Sequence, residues 1–160
     1  MKDIFGIILV FLLGFFTCMM LTFIYKDIEQ PIRIGEVSIV NPPNSPGDWI
    51  KESQISIYEN AVVLHIEGAS LSRYAATGSM KPVLDIGSNG IRIVPENPEQ
   101  IEIGDIITFE KNGELIIHRV IEKGTDEEGI YFITKGDNNN VTDGKVRFEE
   151  IKYVTIGILY

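Results

Sequence analysis

Sulfur and imidazole are nearly missing from this chain: 160 residues contain one cysteine, Cys18, and two histidines, His65 and His118. One cysteine forms no internal disulfide and no Cys-based metal site, and two histidines are too few for a multi-histidine centre. Basic blocks are also absent. Fourteen Lys and Arg against 23 Asp and Glu leave a formal charge of −9. Without a basic footprint to displace counterions, nucleic acid is excluded as a partner. There is no internal repeat, no low-complexity tract and no long amphipathic helix, so the chain has room for one modest domain.

What the chain does have begins at its start. Ile4 to Ile24 carry no charge, and the run is flanked by Lys2-Asp3 and Tyr25-Lys26-Asp27. As a helix it would be about 32 Å long, enough to cross a bilayer. Asp3 offsets Lys2, and "YKDIEQ" contains no small-x-small cleavage site. Residues 1–25 therefore read as a retained membrane anchor rather than a cleaved leader. Charge does not orient it, because Lys2 and the amino terminus compete with Lys26 and Arg33. Residues 26–52 include "EQPIRIGEVSIVNPPNSPGDW", with four prolines and little periodicity, and read as a stalk.

Residues 53–160 read as a β-rich domain. "QISIY", "AVVLHI", "GIRIVP", "IYFITKG" and "IKYVTIGILY" are strand-like runs, and "DNNNVTDGK" is a polar loop. Within "GDIITFEKNGELIIHRVIEKG", Asn112-Gly113 is a two-residue hairpin signal. That turn would set Ile107 opposite His118, on the strand face shared by Ile116 and Val120. The expected fold is mainly β, one barrel-like or two-sheet domain.

Four polar side chains fall where a β domain has cheaper options: Ser79 in a Gly-flanked turn, His118 mid-strand, and Asp137 and Asp143 around "GDNNNVTD". An imidazole on an apolar face needs a partner at each nitrogen. A carboxylate on one side and a hydroxyl on the other would supply both, and would make a nucleophile, a base and an orienter. Taken singly, each has a bland reading as a turn serine, a satisfied core histidine or an Asx-rich loop. Asp137, Asn139 and Asp143 lack the glycine and terminal glutamate of an EF-hand loop, and no metal is expected.

In this order "TGSMKP", "GDIITF", "IIHRVI" and "ITKGDNNNVTD" resemble the successive boxes of type I signal peptidases. More narrowly they resemble the serine–histidine branch found in archaea and the endoplasmic reticulum, over roughly Tyr74 to Ile158 plus the anchor. The resemblance implies a signal-peptidase-like β-barrel or two-sheet catalytic domain behind a single N-terminal transmembrane helix. It implies Ser79 as nucleophile and His118 as general base, where bacterial members carry lysine. Asp143 would orient the imidazole, and Asp137 would support the site; which lies closer to His118 stays open. Thr77 and the Ser79 N–H would form the oxyanion hole, and Ala75, Ala76 and Met80 would meet substrate.

An imidazole suits the task, since its unperturbed pKa of about 6.5 needs none of the desolvation a lysine base requires. Lys81, Lys111, Lys123 and Lys135 are read as bystanders, and His65 as structural. The chain departs from the family pattern at "DIGSNGIRIVP", where Ser88-Asn89 replaces an expected Asp. Asn140-Val141-Thr142 spells a glycosylation sequon expected to stay unoccupied. The implied activity is removal of signal peptides from pre-proteins. It would need no cofactor and would take place at the cell membrane, with the catalytic domain on the extracytoplasmic side in contact with lipid. Accessory subunits are left open. The alternatives are a same-fold protease for other surface precursors and an inactive membrane-anchored binding module.

Overall fold

The computed structural model describes residues 2–25 and 43–160. The chain forms two compact units, Met1–Val40 and Asn41–Tyr160. In the first, helix α1 spans Lys2–Tyr25, and the described apolar side chains Val10, Phe11 and Phe16 are exposed. Among the described residues no helix is long and apolar enough to cross a membrane. The transmembrane expectation for residues 1–25 is thus not carried by the fold. Most of the expected stalk, residues 26–42, lies outside the described residues.

The second unit is mainly β, as its sequence pattern suggests. Its strands are β1 (Ile55–Tyr58), β2 (Ala61–Leu64), β3 (Ser70–Arg73), β4 (Asn89–Ile93), β5 (Ile106–Lys111), β6 (Glu114–Asp126), β7 (Gly129–Lys135), β8 (Lys145–Arg147) and β9 (Ile151–Leu159). β1 and β2 pair as a separate two-stranded sheet. The other seven form one sheet in the order β3-β4-β9-β5-β6-β7-β8. Asn112 (φ 55°) and Gly113 (φ 81°) are both left-handed, as a primed two-residue turn requires. The turn pairs Lys111 with Glu114 and brings Ile107 opposite His118.

β5 lies between β9 and β6 and is buried on both faces, so its apolar run is continuous rather than alternating. Ile106 packs with Met80 and Leu84, while Ile107 packs with Phe109, Val120, Phe132 and Val154. Phe109 and Phe132 are fully buried, each worth about 1.5–3 kcal/mol in apolar burial.

Gly47 and Trp49, which fall within the expected stalk of residues 26–52, are tied to the β-rich part of the second unit. The physical reason is Asp105, whose side chain is fully buried. Its Oδ1 accepts from the Gly47 N–H (2.8 Å) and Trp49 Nε1 (3.0 Å), and its Oδ2 from the Glu102 N–H (2.9 Å). Gly104, at φ +108°, leaves space for the passing backbone: a Cβ there would lie 2.1 Å from the Ser45 carbonyl oxygen.

Candidate active site

β6 outruns its neighbour. β7 pairs with it only from Arg119 onward, so Glu114–His118 bond to β5 on one side and, among the described residues, the other edge of the strand has no strand partner. These five residues line a cleft of about 350 Å³ whose facing wall includes Tyr74, Ala75, Thr77, Ser79 and Met80. Ser79 and His118 therefore share one cavity. Leu84 and Asn139 complete its lining. Ala76, expected to meet substrate, is not among the lining residues, whereas Ala75 and Met80 are.

His118 is buried, and its Nδ1 lies 2.6 Å from Asp143 Oδ2. A carboxylate only accepts, so Nδ1 carries a hydrogen, and in the neutral ring Nε2 is the nitrogen that holds the lone pair. The same Asp143 oxygen accepts from Thr134 Oγ1 at 2.8 Å. Thr134 sits opposite Val120, on the His118 face of the strands. Sequence reading missed Thr134, and only its inward place on an alternating strand could have signalled it.

Asp137 takes a different partner. Its two oxygens accept from Arg119 Nε and Nη2, each at 2.8 Å, with both side chains only 5% exposed. Arg119 Nη1 also donates to the Gly104 carbonyl at 2.7 Å. The question of which aspartate holds the imidazole is thus answered by geometry: Asp143 does, and Asp137 holds Arg119. Arg119 stands next to His118 in the chain but points to the opposite side of the strand, a consequence of the two-residue period.

Ser79 follows Gly78, which is left-handed at φ +71°. Its Oγ lies 3.2 Å from Thr77 Oγ1. Among the described residues no hydrogen bond joins Ser79 to His118. Asn138 clasps this turn: its N–H donates to the Ser79 carbonyl (2.8 Å), and its Nδ2 donates to the Gly78 carbonyl (3.1 Å).

The lysines are engaged elsewhere. Lys111 Nζ donates to the Asp143 carbonyl, Lys135 Nζ to the Asn139 carbonyl (3.0 Å), and Lys81 pairs with Asp85 (2.8 Å). Lys123 reaches the Glu99 carbonyl at 3.1 Å, and His65 Nε2 lies 3.1 Å from Ser56 Oγ. Tyr74, on the cleft wall, has its phenol pKa raised, chiefly by burial. No cluster of three or more potential metal ligands occurs among the described residues.

No protein-family model matches the chain, and no solved structure does. Curated relatives do. The signal peptidase complex catalytic subunit of Candida dubliniensis is 31% identical over 80 residues, 49% of this chain and 47% of that protein. The subunit of the same name from Dictyostelium discoideum is 37% identical over 70 residues, 42% of this chain and 38% of that protein. The chain spans about half the length of the curated relatives it matches, or less. Over that stretch it is similar to signal peptidase catalytic subunits, in line with the resemblance to type I signal peptidases read from its motifs.

Proposed function

We propose that the chain is a membrane-tethered serine endopeptidase that cleaves signal peptides from pre-proteins, with Ser79 as nucleophile and His118 as general base. The observation that carries this reading is the buried His118–Asp143 pair on the cleft that Ser79 lines. In this mechanism His118 Nε2 takes the hydroxyl proton as Ser79 Oγ attacks the scissile carbonyl. The imidazolium then returns the proton to the leaving amine, and water, activated the same way, hydrolyses the acyl-enzyme. Asp143 keeps the imidazole in the required tautomer. Ser79 Oγ gives up its contact with Thr77 by rotation about χ1, and catalytic hydrogen bonds of this kind commonly tighten when substrate binds. The Thr77 hydroxyl and the Ser79 N–H receive the oxyanion.

The edge of Glu114–His118 supports an extended substrate strand, since among the described residues no strand takes up its N–H and C=O groups and such an edge suits strand addition. Small substrate side chains would enter the apolar cleft beside Ala75 and Met80. Residues 1–25 act as the anchor, which keeps the protease where signal peptides lie and raises effective concentration. The relatives are named as subunits of a complex, and accessory subunits are part of this reading.

The test is processing of a secretory precursor by the detergent-solubilised full chain. Ser79→Ala and His118→Ala should each lower the rate by about 10³-fold or more. Processing that survives Ser79→Ala removes the mechanism, and an unmutated chain that processes nothing is the outcome of a binding module.

A further inference from the structure

One loop, residues 136–143, touches both halves of the candidate site. Its last residue, Asp143, holds His118. Its first, Gly136, lies so close to the serine turn that a Cβ there would sit 2.7 Å from the Ser79 carbonyl oxygen. Between them, Asn138 binds the carbonyls on both sides of the Ser79 Cα: Nδ2 to Gly78 at 3.1 Å, N–H to Ser79 at 2.8 Å. The loop is itself tied down. Asp137 is locked to Arg119, the Asn139 N–H donates to the Gly136 carbonyl (2.9 Å), and Lys111 and Lys135 hold the carbonyls of Asp143 and Asn139.

The bond to Gly78 has a consequence for chemistry. The Gly78 carbonyl and the Ser79 N–H belong to one planar trans peptide and point in opposite directions. Whatever fixes the carbonyl fixes the aim of the N–H. Gly78 has no Cβ and a left-handed φ of +71°, so hydrogen bonds set that plane. The carbonyl accepts from Asn138 Nδ2 at 3.1 Å and, at 3.3 Å, from the Lys81 N–H, while the Ser79 N–H lies 3.5 Å from Thr77 Oγ1. A donor on the carbonyl also polarises the peptide and strengthens its N–H as a donor. We propose that Asn138 is a positioning residue that aims the Ser79 backbone N–H at the oxyanion by holding the Gly78–Ser79 peptide plane. This rests on the reading of Ser79 as nucleophile.

Asn138 is exposed, so removing its amide leaves no cavity, and the effect falls on rate rather than folding. Asn138→Asp keeps the shape and replaces the amide donor with an acceptor; Asn138→Ala removes it. Steady-state cleavage of a signal-peptide substrate by the full chain is measured for both, alongside melting temperature. Asn140→Ala, an exposed position on the same loop, serves as control. Loss of an aimed oxyanion donor should lower kcat by about tenfold to hundredfold, with KM and melting temperature unchanged. The affinity of a substrate-like peptide aldehyde, which forms a tetrahedral adduct with an active serine, should fall in parallel with kcat/KM. A non-cleavable ground-state analogue should bind as before.

Unchanged kcat in Asn138→Asp overturns the proposal, as does a loss of rate matched by equal loss of the ground-state analogue. If Asn138→Ala fails to fold, the isosteric Asn138→Asp decides alone. An inactive unmutated chain, or an active Ser79→Ala, overturns the nucleophile reading instead, and the positioning role with it.

Discussion

Asp143 collects two donors on a single oxygen, the His118 ring at 2.6 Å and the Thr134 hydroxyl at 2.8 Å. That geometry leaves the imidazole one tautomer. Asp143→Asn would offer an N–H to Nδ1, drive the ring hydrogen to Nε2 and abolish its basicity toward Ser79. Processing should fall by about 10⁴-fold with little change in melting temperature, measured by precursor cleavage and thermal unfolding. Arg119 behaves differently, since its pair with Asp137 is buried. Arg119→Met strands a buried carboxylate and should cost about 3–5 kcal/mol in denaturant unfolding. A loss under 1 kcal/mol would mean that Asp137 finds water instead. The serine, the histidine and both aspartates were legible as residue types, because each is a polar group in a place that apolar or turn residues usually fill. Their pairing was not, since a loop gives no period from which to compute direction.

Among elements, the β5–β6 hairpin was the most readable. Asn112-Gly113 sets its own turn and thereby the register of every residue behind it, His118 included. The end of β7 was not readable, yet it creates the open edge of Glu114–His118. Strand length depends on neighbours as well as on local propensity. At the far edge of the sheet, Arg147 Nη2 reaches both oxygens of Asp126 at 2.9 Å, and Lys145 bonds it too. Arg147 first and Lys145 second hold the Asp126 carboxyl well below the usual carboxylate range. A depressed carboxylate contributes stability above its unfolded pKa of about 3.9 and loses it as pH falls below that value. Asp126→Asn should therefore lower the melting temperature most at pH 7 and by clearly less at pH 2, where the unfolded chain's carboxyl is protonated while the paired one is still largely ionised. Equal losses at both pH values would show that the ion pair contributes through shape alone.

At the scale of the whole molecule, the second unit is closed by a segment that reads as a linker. Trp49 packs on the main core and donates to Asp105, a carboxylate with no exposure. Trp49→Ala should cost about 3 kcal/mol in urea unfolding, through lost burial and one missing donor on Asp105. If "NPPNSPGDW" were a free stalk, the cost would be close to zero. The proposed anchor makes its own demand. The full chain should stay with membranes through alkaline carbonate washing, and a chain lacking residues 1–25 should not.

Periodicity and turn chemistry act between near neighbours, so the sequence alone determined that residues past Gln54 make strands, where the hairpin turns, and which side chains are chemically conspicuous. Contacts between distant segments were decided only by tertiary structure. Asp143 rather than Asp137 meets His118, Asn138 clasps the serine turn, and Gly47 and Trp49 donate to the buried Asp105. The reason is that such contacts depend on where loops of no fixed direction are carried by the strands at their ends, a quantity no local pattern encodes.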